Sequence, residues 1–154
     1  NKGNFKFEDI SSSAGINQFG GWHNSVSTVD INNDGYMDLY ICRGGFKNVN
    51  GSNRNLLFIN NKNNTFTEQA VSYGIADEGY SIASSFFDYD NDNDLDLIVT
   101  NRPDHWSVDA DEIIRVKKRD SIDLATTTRL YRNNGNNSFS DVSKETGIFP
   151  NYIS

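Results

Sequence analysis

The sequence predicts an all-β chain built from repeated four-stranded antiparallel units, and three observations predict it. The phrase Phe7-Glu8-Asp9-Ile10-Ser11-Ser12-Ser13-Ala14-Gly15-Ile16 returns 59 residues later from Phe66 to Ile75, and 73 residues after that from Phe139 to Ile148. An acidic stretch beginning at Asp30 recurs at Asp88, 58 residues on. Around each acidic stretch lie short β-branched and aromatic runs bounded by Asn, Gly and Lys, which is the signature of strands joined by tight turns. Whole units recurring at a fixed period call for a repeat architecture. Four antiparallel strands per unit describe a β-propeller blade.

In order along the chain, residues 1–16 carry the first copy of the phrase and are expected to form the last strand of a preceding blade. The first full blade is expected at 17–75, with strands at 25–29, 39–43, 55–60 and 65–70. The second is expected at 76–148, with an insertion at about 101–128, and 149–154 would begin a following unit. Trp22 and Tyr80 occupy matching positions and are read as aromatics that pack between blades. The insertion is the stretch that the repeat does not explain. Asp109 and Glu112 lead it and Lys117-Lys118-Arg119 close it, an order that complements a helix dipole, so one short helical insertion is expected there.

The acidic stretches join the first strand of each unit to the second. The first reads Asp30-Ile31-Asn32-Asn33-Asp34-Gly35-Tyr36-Met37-Asp38 and the second Asp88-Tyr89-Asp90-Asn91-Asp92-Asn93-Asp94-Leu95-Asp96. Each runs straight into an apolar strand. Like charges about 4 Å apart repel by roughly 1 kcal/mol in water and about 4 kcal/mol at an effective dielectric near 20. A loop this dense in carboxylates needs a cation. Oxygen donors at positions 1, 3 and 5, with a turn residue at 6, suit Ca²⁺ and its flexible oxygen shell. Position 12, where an EF-hand places a bidentate Glu, is Ile41 in one loop and Val99 in the other. Position 9, Asp38 or Asp96, must therefore supply the last side-chain ligand. Gly35 fits a left-handed turn at position 6, and Asn93 is its substitute.

Composition limits the partners. The chain has 154 residues, enough for one domain with a sizeable core, and a formal net charge of −7. That balance argues against nucleic acid and anionic membrane surfaces as partners. No run of 18 apolar residues is present, so no membrane insertion is expected. Cys42 is the single cysteine, so no internal disulfide forms. The chain opens on Asn1 rather than Met and is expected to be a processed chain or a piece of a longer one.

The loops, with Phe19-Gly20 ten residues before Asp30 and the phrases around 86–101 and 133–148, resemble the FG-GAP/VCBS repeats of integrin α-like propellers. The resemblance is closest to VCBS proteins that carry ASPIC/UnbV domains, such as cartilage acidic protein. It implies a calcium-stabilised extracellular propeller of seven or eight blades, with two Ca²⁺ sites in this chain. The implied ligands are Asp30, Asn32, Asp34 and Asp38 in the first, with the backbone carbonyl of Tyr36. In the second they are Asp88, Asp90, Asp92 and Asp96, with the carbonyl of Asp94. The second loop departs from the pattern in having Asn93 for glycine and an extra carboxylate at Asp94.

Function is then expected to be structural. The chain reads as a calcium-stabilised module of a secreted or cell-surface protein that makes protein or glycan contacts, and not as an enzyme. Its partners would be the remainder of a larger propeller or further copies of itself. A subunit of a self-assembling extracellular filament or sheath is one alternative. Part of a polysaccharide lyase is another, but it would need a base and charge-neutralising groups in one pocket. His23, His105 and Lys117-Lys118-Arg119 share no spacing that brings them together.

Overall fold

A computed structural model describes residues 1–44, 53–102 and 127–148. It contains two four-stranded antiparallel sheets and one short helix. The first sheet is β1 (His23–Val29), β2 (Asp38–Arg43), β3 (Leu56–Asn60) and β4 (Phe66–Glu68), hydrogen-bonded in that order. The second is β5 (Ser81–Phe87), β6 (Asp96–Asn101), β7 (Arg129–Asn133) and β8 (Phe139–Asp141), in the same order. Such meanders, stacked side by side, are the blades of a propeller.

The two sheets repeat each other in register. Val29 pairs with Asp38 and Phe87 with Asp96, so each acidic loop closes the hairpin between the first two strands of its blade. Both first strands are bulged at their start, between His23 and Ser25 and between Ser81 and Ala83. A bulge adds twist at the end of a strand, and here it falls at the same repeat position twice.

The core lies between the blades. Tyr40, Cys42, Leu57, Ile75, Leu97, Val99 and Tyr131 form one cluster drawn from both sheets. Tyr40 stands edge-on to Phe86 of the next blade, with centroids 5.9 Å apart and planes at 88°. Polar contacts cross the same seam. Ser27 Oγ lies 2.9 Å from both the carbonyl and the hydroxyl oxygen of Ser84, and Asn24 Nδ2 donates to the Ser81 carbonyl at 2.7 Å. Asp77, in the link between blades, is 2 % exposed. It accepts from the Tyr131 hydroxyl at 2.7 Å and lies 3.5 Å from Arg129 Nε, both on β7. These are the buried pairings that a desolvated carboxylate needs.

Three expectations change. The strand expected at 65–70 ends at Glu68, and Ala70–Tyr73 forms the helix, α1. The cause is local. Glu68 Oε1 accepts the Ala70 N–H at 2.8 Å, and Gly74, at φ +77, closes the turn. The short helix expected in the insertion falls on residues of which 103–126 lie outside those described, as do 149–154. The observed helix is elsewhere, at α1. Residues 1–16 form no strand, because the chain places no strand beside them as β3 stands beside β4. Their last part still folds as its repeats do. Ala14 N–H reaches the Ile10 carbonyl at 2.8 Å, and Phe66 N–H reaches the Ala14 carbonyl at 2.9 Å, docking the turn on the first blade.

Candidate metal centres

Each acidic loop is wound around its first aspartate. Asp30 Oδ1 accepts the Asp34 N–H at 2.9 Å, and Oδ2 accepts the Gly35 N–H at 2.8 Å. The Asn32 side-chain oxygen accepts the same Asp34 N–H at 3.1 Å, so positions 1 and 3 converge. Asp88 does likewise in the second loop, accepting from Asn91, Asp92 and Asn93 N–H groups at 2.7, 3.2 and 3.1 Å. Position 6 is left-handed in both, at φ +85 for Gly35 and +73 for Asn93.

Position 9 does more than the spacing foretold. Asp38 and Asp96 are both 0 % exposed. Asp38 Oδ2 accepts the Ile31 N–H at 3.1 Å and Oδ1 the Asn60 N–H on β3 at 2.7 Å. Asp96 repeats this with Tyr89 N–H at 3.0 Å and Asn133 N–H on β7 at 2.8 Å. Each asparagine returns the contact, with Nδ2 donating to the position-8 carbonyl of Met37 at 3.1 Å or Leu95 at 3.2 Å. Asn60 and Asn133 thus brace the loops. Sequence reasoning missed them, although both sit at one place in the phrase shared by 57–61 and 130–134. Burial pushes the Asp38 carboxyl up. The Asn60 and Ile31 N–H groups oppose that, and the charges of Asp34 and Asp30 add to it.

The two sites gather their carboxylates differently. Oxygens of Asp88, Asp90 and Asp96 all lie within 4.8 Å of one another, the one such group of three among the described residues. Partial desolvation raises the Asp90 carboxyl, as do the charges of Asp92, Asp96 and Asp88. Asp92 and Asp94 stand outside the trio, and Asp92 Oδ1 accepts the Asp94 N–H at 2.9 Å. In the first loop Asp34 instead leans toward Lys62, whose Nζ is 3.3 Å from Oδ2. Burial would raise the Asp34 carboxyl, but the Tyr36 N–H, Lys62 and Asn32 together hold it below its ordinary value. The Tyr36 ring lies outside the loop's interior, 45 % exposed, with Lys62 5.4 Å from its centroid.

The donors suit a hard cation. Both loops offer carboxylate, amide and backbone oxygens without soft sulfur or imidazole ligands, and a carboxylate that accepts two N–H bonds keeps lone pairs for a metal. Asp30, Asn32, Asp34 and Asp38 would hold one ion, and Asp88, Asp90, Asp92 and Asp96 another. The loops face each other across a small polar cleft lined by Asp30, Asn32, Asn93, Asp94, Asn133 and Asn137. Of the other side chains singled out in the sequence, Tyr80 is 5 % exposed and packs between the blades, whereas Trp22 is 58 % exposed. His105, Trp106 and Lys117-Lys118-Arg119 lie outside the described residues.

Residues 48–99 match the family described as the FG-GAP-like repeat. The matched span runs through β3, β4, α1 and β5 into β6, and it contains the whole second loop. No curated protein matches the chain. The family match supports an FG-GAP repeat and, in general terms, an interaction module of the kind usual in extracellular proteins. Among the described residues no helix is long and apolar enough to cross a membrane.

Proposed function

We propose that the chain is a calcium-stabilised, extracellular structural and interaction module that binds one Ca²⁺ in each blade and catalyses no reaction. On this reading, 17–75 and 76–148 are consecutive blades, and their relatives are VCBS-type secreted or cell-surface proteins. The carrying observation is the pairing of a fully buried position-9 carboxylate with a converging oxygen set, at the same repeat position in both blades. Metal bound there would tie the loop to the second and third strands at once, so binding would stabilise the fold.

Melting by calorimetry with saturating CaCl₂ and with EDTA tests this. A ligand at a hundred times its Kd stabilises the native state by about 2.7 kcal/mol. For a chain of this size that corresponds to a midpoint roughly 5–10 °C lower in EDTA. An unchanged midpoint overturns the reading.

Partners follow from the blade faces. The burial of β1 alternates. Ser25, Ser27 and Val29 turn toward β5, while Val26 and Thr28 are exposed on the other side. On β5 the equivalents of Val26 and Thr28, namely Ser84 and Phe86, are partly covered by the first blade. A further blade would therefore fit against Val26 and Thr28, supplied by the remainder of a larger propeller or by another copy of this chain. The second possibility favours a self-assembling extracellular subunit as the alternative reading. Protein or glycan ligands would bind on the loop faces that such an assembly leaves free.

A further inference from the structure

The β3–β4 turn of the first blade and the β7–β8 turn of the second overhang the acidic loops, and they are twins with one difference. Lys62 and Gly135 occupy the same corner. Each donates its N–H to the asparagine two residues before it, to Asn60 Oδ1 at 2.9 Å or Asn133 Oδ1 at 3.0 Å. Each is left-handed, at φ +64 and +74. That conformation suits glycine and penalises a residue with a β-carbon. The first blade nevertheless places a lysine there. An outlier of this kind calls for a compensating contact.

The contact is the acidic loop. Lys62 Nζ lies 3.3 Å from Asp34 Oδ2 and 5.4 Å from the centroid of the Tyr36 ring, with half of the lysine side chain in solvent. Tyr36 and Asp94 are repeat equivalents. In the second blade a β-carbon on Gly135 would lie 3.2 Å from Asp94 Oδ2. The first site therefore has three loop aspartates and an ammonium stacked beside them. The second has five aspartates and a bare turn.

We infer that Lys62 is a tethered counter-ion of the first loop, an affinity-setting residue that competes with Ca²⁺ for Asp34 and keeps the loop folded when the metal is absent. The inference rests on the calcium reading above and adds to it a ranking of the two sites. A flexible, half-solvated lysine stem leaves an incoming divalent cation free to displace the ammonium. The first site then binds Ca²⁺ more weakly but tolerates its loss. The second, with more negative charge and no cation of its own, binds more tightly and opens when stripped.

The test compares the full chain, freed of metal, with Lys62→Met and Lys62→Arg by calcium titration calorimetry and by melting in EDTA. Methionine keeps the β-carbon and the left-handed strain, so charge is what changes. The expected result is a weaker site tightened about three- to tenfold in Lys62→Met, with the stronger site unmoved. The same variant should melt lower in EDTA, and Lys62→Arg should behave as the parent does. Added NaCl should shrink both differences. Two sites still binding, with the weaker one unchanged or weakened in Lys62→Met, overturns the inference and leaves the calcium reading standing. An EDTA midpoint that does not fall overturns the counter-ion role. A parent chain that takes up no calcium at all overturns the calcium reading and this inference together.

Discussion

Gly74 holds φ +77, and a β-carbon there would lie 2.9 Å from the Phe139 carbonyl oxygen of the next blade. Its repeat equivalent Gly147, at φ +67, would meet nothing within 4 Å. The pair separates backbone strain from crowding. Gly147→Ala should cost about 1 kcal/mol for the left-handed conformation alone. Gly74→Ala adds overpacking against a carbonyl that cannot swing aside, for about 2–4 kcal/mol in all. Urea denaturation of the two variants checks this, and equal losses would mean that the close approach carries no cost. The residue scale is also where the sequence was read most and least completely. The ligand set at positions 1, 3, 5 and 9 was legible because its spacing lies within nine residues. Lys62 was not, because it reaches Asp34 only after β3 and β4 fold their turn back over the loop. Asp77 was equally silent, since the Tyr131 and Arg129 that bury it lie more than fifty residues away.

At the scale of elements, the acidic loop and the strand behind it are one unit, joined by Asp38 in the first blade and Asp96 in the second. Asp38→Ala should therefore do damage before any metal is added. It leaves the N–H groups of Ile31 and Asn60 without their acceptor, at about 1–3 kcal/mol for each buried group. Asn32→Ala removes one neutral oxygen, while the Asp34 N–H keeps its bond to Asp30 Oδ1. Melting in EDTA should show Asp38→Ala well below the parent and Asn32→Ala close to it. Calcium titration should show the first site abolished by the former and only weakened by the latter. Equal damage from both would mean that position 9 is an ordinary ligand rather than a staple. The strands themselves were legible from β-branched runs and turn residues. What the pattern hid was the end of β4, where Glu68 turns its side chain back to the Ala70 N–H and starts a helix. The strand expected over residues 1–10 failed for a related reason. A strand is defined by its neighbour, and composition alone does not supply one.

At the scale of the whole molecule, the two blades present unlike faces to whatever lies beyond them. The first offers Trp22, Val26 and Thr28, and the second offers Ala83, Ser85 and Phe87. Val26 is 60 % exposed, Trp22 58 % and Phe87 40 %. The seam between the blades already shows how such faces meet, because Ser27 and Ser84 are the repeat equivalents of Ser85 and Val26. A second copy docking its Phe87 face onto the Val26 face of the first would reproduce that seam. Such a contact is heterologous, so it continues from copy to copy until it closes a ring or runs on as a filament. Sedimentation velocity in calcium should show association that grows with concentration. Val26→Lys and Phe87→Lys should each weaken it at least about tenfold, a change of 1.4 kcal/mol. Both side chains face solvent in the single chain, so the melting temperature should stay where it is. The decisive feature is that either substitution suffices. An isologous contact through the Val26 face alone would respond to Val26→Lys and ignore Phe87→Lys, and association indifferent to both would place the contact elsewhere on the molecule.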